Sequence, residues 1–300
     1  MRFSLEDEQA AFRDALRAVF DKECSPAVVR AAWDPAAPLD RTVWNTLDSL
    51  GALSVFVDGG PVFATLLAEE AGRAALPFPI IATVFAAAPY DVGAQLVATD
   101  LGGPIVAHAS DADVLLLHDE AGLHLVAPGD VQLEAVETVD ASRRAALSTS
   151  WVAGTPVDRD VEAAYHRGSL GAAAQLIGLS ERMLTMTVEY AKERQQFGVP
   201  IGSFQAVKHQ LADALKDLTF ARPAVRRAAV TMAERDISMA KAMASDAAET
   251  VGRIALQAHG AIGYTVEYDL HLFLKRAWAL SRTWGTAAAH RNRVADAIGV

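Results

Sequence analysis

Apolar residues in the N-terminal third recur at helical steps, with polar residues, Gly or Pro where each run should stop. Leu5, Phe12, Leu16, Val19 and Phe20 follow Ser4, a residue able to cap a helix start, with Asp7 three positions on. A second helix is expected after Asp40, carrying Val43, Trp44, Leu47 and Leu50 on one face and stopping at Gly51. A third covers residues 61–76. The apolar run 80–88 fits a short buried helix, although period alone leaves a strand open.

Between about residue 92 and residue 157 the runs shorten. Segments 104–108, 114–118, 123–126 and 131–136 read as strands, separated by turns such as Asp119-Glu120-Ala121-Gly122 and Pro128-Gly129-Asp130. There is room for about five to seven ordinary strands, expected to form one compact antiparallel sheet. From residue 158 helical spacing returns. Leu170, Ala173, Ile177, Leu184, Val188 and Ala191 keep one seam until Gly198, Pro200 and Gly202 break it. A second helix from Ser203 should turn Val207, Leu211, Leu215 and Leu218 inward and kink at Pro223. Helices over 236–258 and 266–280 follow, then a short one after Gly285-Thr286. The pattern is mainly α: an N-terminal helical domain (1–91), a reduced central β-domain (92–157) and a C-terminal four-helix bundle (158–300).

The 300 residues are 52% hydrophobic and 21% charged, which excludes a disordered chain. A net charge of −10 disfavours nucleic acid and anionic membrane as partners, both of which need a basic patch. Cys24 is the only cysteine, so no intrachain disulfide or multi-cysteine metal site can form, as fits a reducing cytoplasm. The opening residues place acids where a secretory signal needs an apolar run, and nothing reads as a membrane span. The histidines are scattered, without a helical pair at ligand spacing, so no metal site is expected. Phosphate-loop, GxGxxG, GxSxG and HExxH motifs are absent.

Two stretches ask for more than packing. Residues 193–205 set Arg194, Gln195, Gln196, Phe197 and Gln205 around a helix break. Residues 257–264, Gln257-Ala258-His259-Gly260-Ala261-Ile262-Gly263-Tyr264, put small residues where a backbone can approach a ligand closely. Taken alone, a solvated helix end with a turn explains the first and helix capping the second.

Together, and some fifty residues apart, the two motifs resemble the C-terminal bundle of acyl-CoA dehydrogenases, and the order of helical, β and bundle segments extends the likeness over the whole chain. The resemblance implies a flavoenzyme fold in which a carboxylate removes the α-proton of an acyl-CoA, FAD accepts the β-hydride and electron-transfer flavoprotein reoxidises the flavin. In that family each FAD is shared between subunits. Carried over, Arg194 would meet the FAD pyrophosphate, a task suited to a guanidinium fork. Gln205 would add a polar contact, and Gln196 and Phe197 would line the cofactor. The backbone of Gln257, Ala258, His259, Gly260 and Ala261 would lie against its adenosine side.

The residues for this chain's own flavin and substrate depart from the pattern. Trp284 and Gly168 occupy the two positions at which the family carries its catalytic acid, and Ser169 stands where an arginine is common. Ala287, Ala288 and Ala289 replace flavin-contacting polar residues, and the β-domain lacks the Thr-Glu-Pro and Gly-Ser motif. The resemblance therefore points to the short, non-catalytic subunit of heteromeric (α2β2) actinobacterial steroid-CoA dehydrogenases, whose second acyl-CoA dehydrogenase-like chain supplies the base. Two alternatives stay open: a self-sufficient homo-oligomer using an acid such as Glu267 or Asp269, and a flavin-free structural scaffold.

Overall fold

The computed structural model describes residues 4–152 and 154–299. Its first helix, α1 (Asp7–Glu23), begins after Glu6 rather than Ser4, and the Glu6 amide donates to Gln9 Oε1 at 3.1 Å. Three short helices follow, α2 (Pro26–Ala31), α3 (Thr42–Ser49) and α4 (Val55–Asp58), before α5 (Pro61–Arg73). The ambiguous apolar run settles as a π-helix, Ile81–Ala86, in which the Ala87 amide reaches the Ala82 carbonyl at 2.9 Å. Its residues are all buried, so the wider turn exposes no backbone to solvent.

The central segment departs from the expected single antiparallel sheet. β1 (Val97–Thr99), β3 (Val114–Asp119), β4 (Gly122–Val126) and β7 (Thr155–Asp158) form one sheet in the order β1-β3-β4-β7, in which β1 and β3 are parallel. β2 (Ile105–Val106), β6 (Ala146–Trp151) and β5 (Val131–Ala135) form a second, in the order β2-β6-β5. The two-residue loop between Asp119 and Gly122 forms as its sequence requires. The seven strands divide between two sheets around a small core that includes Val106, Leu115, Leu117 and Val126.

Beyond them lies the bundle: α6 (Val161–Glu193), α7 (Gln205–Thr231), α8 (Glu234–His259) and α9 (Leu270–Arg282), closed by α10 (Ala287–Ile298). Helices α6 and α8 run parallel, for His166 lies 3.8 Å from Glu234 at their starts and Tyr190 stacks on His259 at their ends. Pro223 lies within the continuous α7. Leu215, expected inward, is 54% exposed. The buried stripe of α7 is instead Ala214, Leu218, Ala221 and Val225, which keeps the four-three-four step of one helix face.

One continuous apolar core joins the N-terminal helices to the bundle. Helices α5 and α6 approach so closely that a Cβ on Gly178 would overlap the Glu69 carbonyl. The β-region is pinned to this core by Arg276, which ion-pairs with Asp140 and donates to Ser142 Oγ at 2.6 Å and to the Leu76 carbonyl at 2.9 Å. Arg276 and Asp140 are both fully enclosed, so the pair satisfies two charges that could not stand alone there. Among the described residues no helix is long and apolar enough to cross a membrane.

Candidate functional site

At one end of the bundle the two sequence motifs come together. Arg194 follows the last residue of α6, and His259 is the last residue of α8. The Tyr190 and His259 rings, one turn or less from those ends, stack with centroids 4.4 Å apart and so set both segments side by side. Beyond Arg194 the chain makes a hairpin of β8 (Gln195–Gln196) and β9 (Val199–Pro200). Its loop residues, Phe197 and Gly198, have φ of 53° and 81°. Both lie in the left-handed region that a type I′ hairpin turn requires, natural for Gly198 and costly for an aromatic residue.

Arg194, Gln196, Phe197, Gln205, Gln257, Gly260 and Ala261 are exposed, and Ala258 is half-buried. Phe197 is 93% exposed. The Arg194 guanidinium makes no hydrogen bond or ion pair with the described residues, leaving its donors free for an anion. His259 differs. Its ring is buried, its Nδ1 lies 2.8 Å from the Ala255 carbonyl, and burial lowers its pKa. Of His259, only the backbone can face a ligand. Around these residues Phe204, Ile262, Tyr264 and Val266 expose further apolar surface.

Near the start of α6 the arrangement is reversed, and the space is filled. The indole of Trp284 is 4% exposed and lies so close over Gly168 that any Cβ at 168 would overlap its six-membered ring. The Trp284 amide donates to the Gly102 carbonyl at 3.0 Å, tying the turn to the β-region. Its carbonyl lies 2.7 Å from His290 Nε2 and accepts a longer bond from Ser169 Oγ at 3.4 Å. Gly285 continues the turn with a φ of 81°, and its carbonyl accepts from Lys241 Nζ at 2.9 Å. Thr286 Oγ1 then caps α10 by accepting from the Ala289 amide at 3.2 Å.

Lys241 is completely buried, with only Ser245 and the Gly285 carbonyl as hydrogen-bond partners among the described residues, and burial pushes its pKa down to about 7. His290 is lowered to about 4, chiefly by burial. The sequence reading missed both. The signal was present: Lys241 falls among Ile237, Ala240, Ala244 and Ala248, on the face that the helical period turns inward.

The space left beside Trp284 is a cavity of about 40 Å³, far below the ~300–1,000 Å³ of ordinary ligand pockets. No carboxylate stands at 168 or 284. Glu267 and Asp269 lie beyond the other end of α9, where Asp269 holds Arg30 at 2.7 Å. At 1.5 Å per helical residue they sit roughly 20 Å away from Trp284. One end of the bundle therefore exposes an unpaired guanidinium, amides and apolar side chains, whereas beside Trp284 there is only a pit of about 40 Å³ and no carboxylate at 168 or 284.

Residues 159–299 match the acyl-CoA dehydrogenase C-terminal domain. The acyl-CoA dehydrogenase IpdE2 of Mycolicibacterium smegmatis is 31% identical over 97% of this chain and 98% of its own length. Among solved structures, the ChsE4-ChsE5 complex from Mycobacterium tuberculosis contains a chain that superposes with a TM-score of 0.84 at 23% identity, covering 100% of this chain and 99% of that one. A Tcur3481-Tcur3483 steroid ACAD variant gives a TM-score of 0.89 at 24% identity over 99% of both chains. With a likeness running the full length of a curated relative, and an arrangement of helices, strands and bundle to match, this chain belongs to the acyl-CoA dehydrogenase family.

Proposed function

We propose that this chain is the FAD-completing, non-catalytic subunit of a heteromeric acyl-CoA dehydrogenase. Its partner, a second acyl-CoA dehydrogenase-like chain in an α2β2 assembly, carries the catalytic base and the substrate pocket. The observation that carries this reading is the Trp284 indole seated on Gly168: both positions at which family members hold their acid are occupied by groups that cannot accept a proton, and they fill the space a substrate needs. The pit beside Trp284, about 40 Å³, is too small to hold a flavin ring or a thioester.

The other end does fit a flavin nucleotide. Arg194 would hold its pyrophosphate, with Gln196, Phe197 and Gln205 alongside and the 257–261 backbone against the adenosine. Bound FAD supplies the hydride acceptor for α,β-desaturation, and electron-transfer flavoprotein is the proposed oxidant of the complex. This chain contributes binding and orientation, and its exposed aromatic residues exclude water where the subunits meet. A steroid-derived acyl group is proposed from the likeness to the steroid ACAD variant.

Co-expression with a dehydrogenase-like chain encoded nearby, followed by counting flavin, tests the proposal. We expect one FAD per unlike pair, acyl-CoA oxidation by the complex, and loss of most bound flavin on Arg194→Ala. An isolated chain that carries one flavin per copy and turns over an acyl-CoA would overturn it.

A further inference from the structure

The small cavity beside Trp284 is polar on the side away from the indole. His108, Arg143, Gln175, Arg276 and Thr99 all line it. Three of them lack partners. Gln175 is 3% exposed and its amide makes no hydrogen bond with the described residues. His108 is 5% exposed and its buried Nδ1 has no partner. The Arg143 guanidinium has neither a hydrogen bond nor an ion pair with the described residues, and Asp140, the carboxylate that acts on it, is already bound to Arg276. Burial, opposed by Asp140 and reinforced by Arg276, pushes Arg143 down to about 10. His108 is held well below its usual value by burial and by Arg276, Arg143 and Arg144, so it is neutral.

The pit thus carries two guanidiniums against one carboxylate, and donors outnumber acceptors. Water could satisfy the hydrogen bonds, but the half-buried Arg143 guanidinium has no carboxylate in contact with it among the described residues, which favours an anion over water there. A volume of about 40 Å³ admits two or three waters or one carboxylate. Ile105, Arg143 and Thr283 also line a second, outer groove of about 460 Å³, whose wall includes Val139, Ala145, Trp278 and Ala279. Thr138, Ser281, Arg282 and Glu249 also line the groove, so with Arg143 it carries two cations and one carboxylate.

We infer that this composite space binds a small organic acid, its carboxylate in the pit on Arg143 and Gln175 and its apolar body in the outer groove. A planar carboxylate offers a guanidinium two parallel acceptors, which a halide cannot, and the adjoining apolar wall favours an organic rather than an inorganic anion. The site is separate from the Arg194 end and does not depend on the proposed flavin role.

Calorimetric titration of the full chain, in the assembly in which it purifies, tests this with cyclohexanecarboxylate, acetate, cyclohexanecarboxamide and chloride as probes. Saturable binding of the cyclic carboxylate, one per copy, is expected at least about ten-fold tighter than acetate, with no comparable binding of the amide. Arg143→Leu and Gln175→Leu should each weaken it by about ten-fold or more. Without carboxylate, Arg143→Leu should melt no lower than the parent, since it removes an uncompensated charge, so that lost binding is not lost folding. Equal affinity in Arg143→Leu, equal binding of the amide, a preference for chloride, or a crystal soaked with the acid showing only water in the pit would each overturn the inference.

Discussion

The Trp284 indole rests on the bare backbone of Gly168, so that residues more than a hundred positions apart form a single packing contact. Neither residue can change alone. Gly168→Ala forces a methyl into the ring, and overpacking of this kind costs about 1–3 kcal/mol. We expect a lower urea midpoint for Gly168→Ala and partial recovery when it is combined with Trp284→Leu; simple additivity of the two substitutions would refute the coupling.

Lys241 governs how stability responds to pH. Its folded value of about 7 lies below the ~10.4 of a free lysine. Between these limits the unfolded chain binds a proton that the folded chain does not, so stability rises with pH by up to ~1.4 kcal/mol per unit. Below about 7 the full cost of enclosing the ammonium is present. Lys241→Met should flatten the difference between pH 7 and pH 9, as read from urea unfolding at each pH.

The enclosed Arg276–Asp140 pair joins the β-region to α9. Removing one partner strands the other charge, at a cost of about 3–5 kcal/mol. Asp140→Asn should therefore lower the unfolding midpoint far more than loss of the exposed Arg291–Asp246 pair, whose two side chains are 56% and 49% exposed and for which we expect ~0–1 kcal/mol. Comparable effects of the two would mean that the Arg276 network does not hold the β-region in place.

Phe197 sits at positive φ with its ring 93% exposed, a costly placement offset among the described residues only by an edge-on contact with the Phe204 ring, centroids 6.3 Å apart. Phe197→Asn should leave the melting temperature of the isolated chain unchanged or slightly higher, because asparagine accepts this backbone conformation more readily. The same change should reduce co-purification with the partner chain and the flavin content of the complex. Retention of both would show that the exposed ring plays no part in assembly.

Much of the bundle was legible in the sequence because the seam from Leu170 to Ala191 repeats at three- and four-residue steps that only a helix satisfies. Leu215 misled the same reasoning, since the inward stripe of α7 runs through Ala214 and Leu218 and leaves Leu215 one position off it, facing outward. Division of the strands into two sheets was hidden because β6, Ala-Leu-Ser-Thr-Ser-Trp, is too polar to announce itself, and the β1–β3 pairing depends on a crossover that periodicity does not encode. That 168 and 284 carry no carboxylate could be read from residue identities. Their mutual contact, the buried Lys241 and the pit lined by His108, Arg143 and Gln175 depend on tertiary packing alone.

Gly168 lies near the start of α6 and Arg194 just past its end, so close to 40 Å of rigid helix separates the two. Such a distance separates the two ends mechanically. Packing around the indole can be altered residue by residue without moving the opposite tip, because a single unbroken rod fixes the spacing between them.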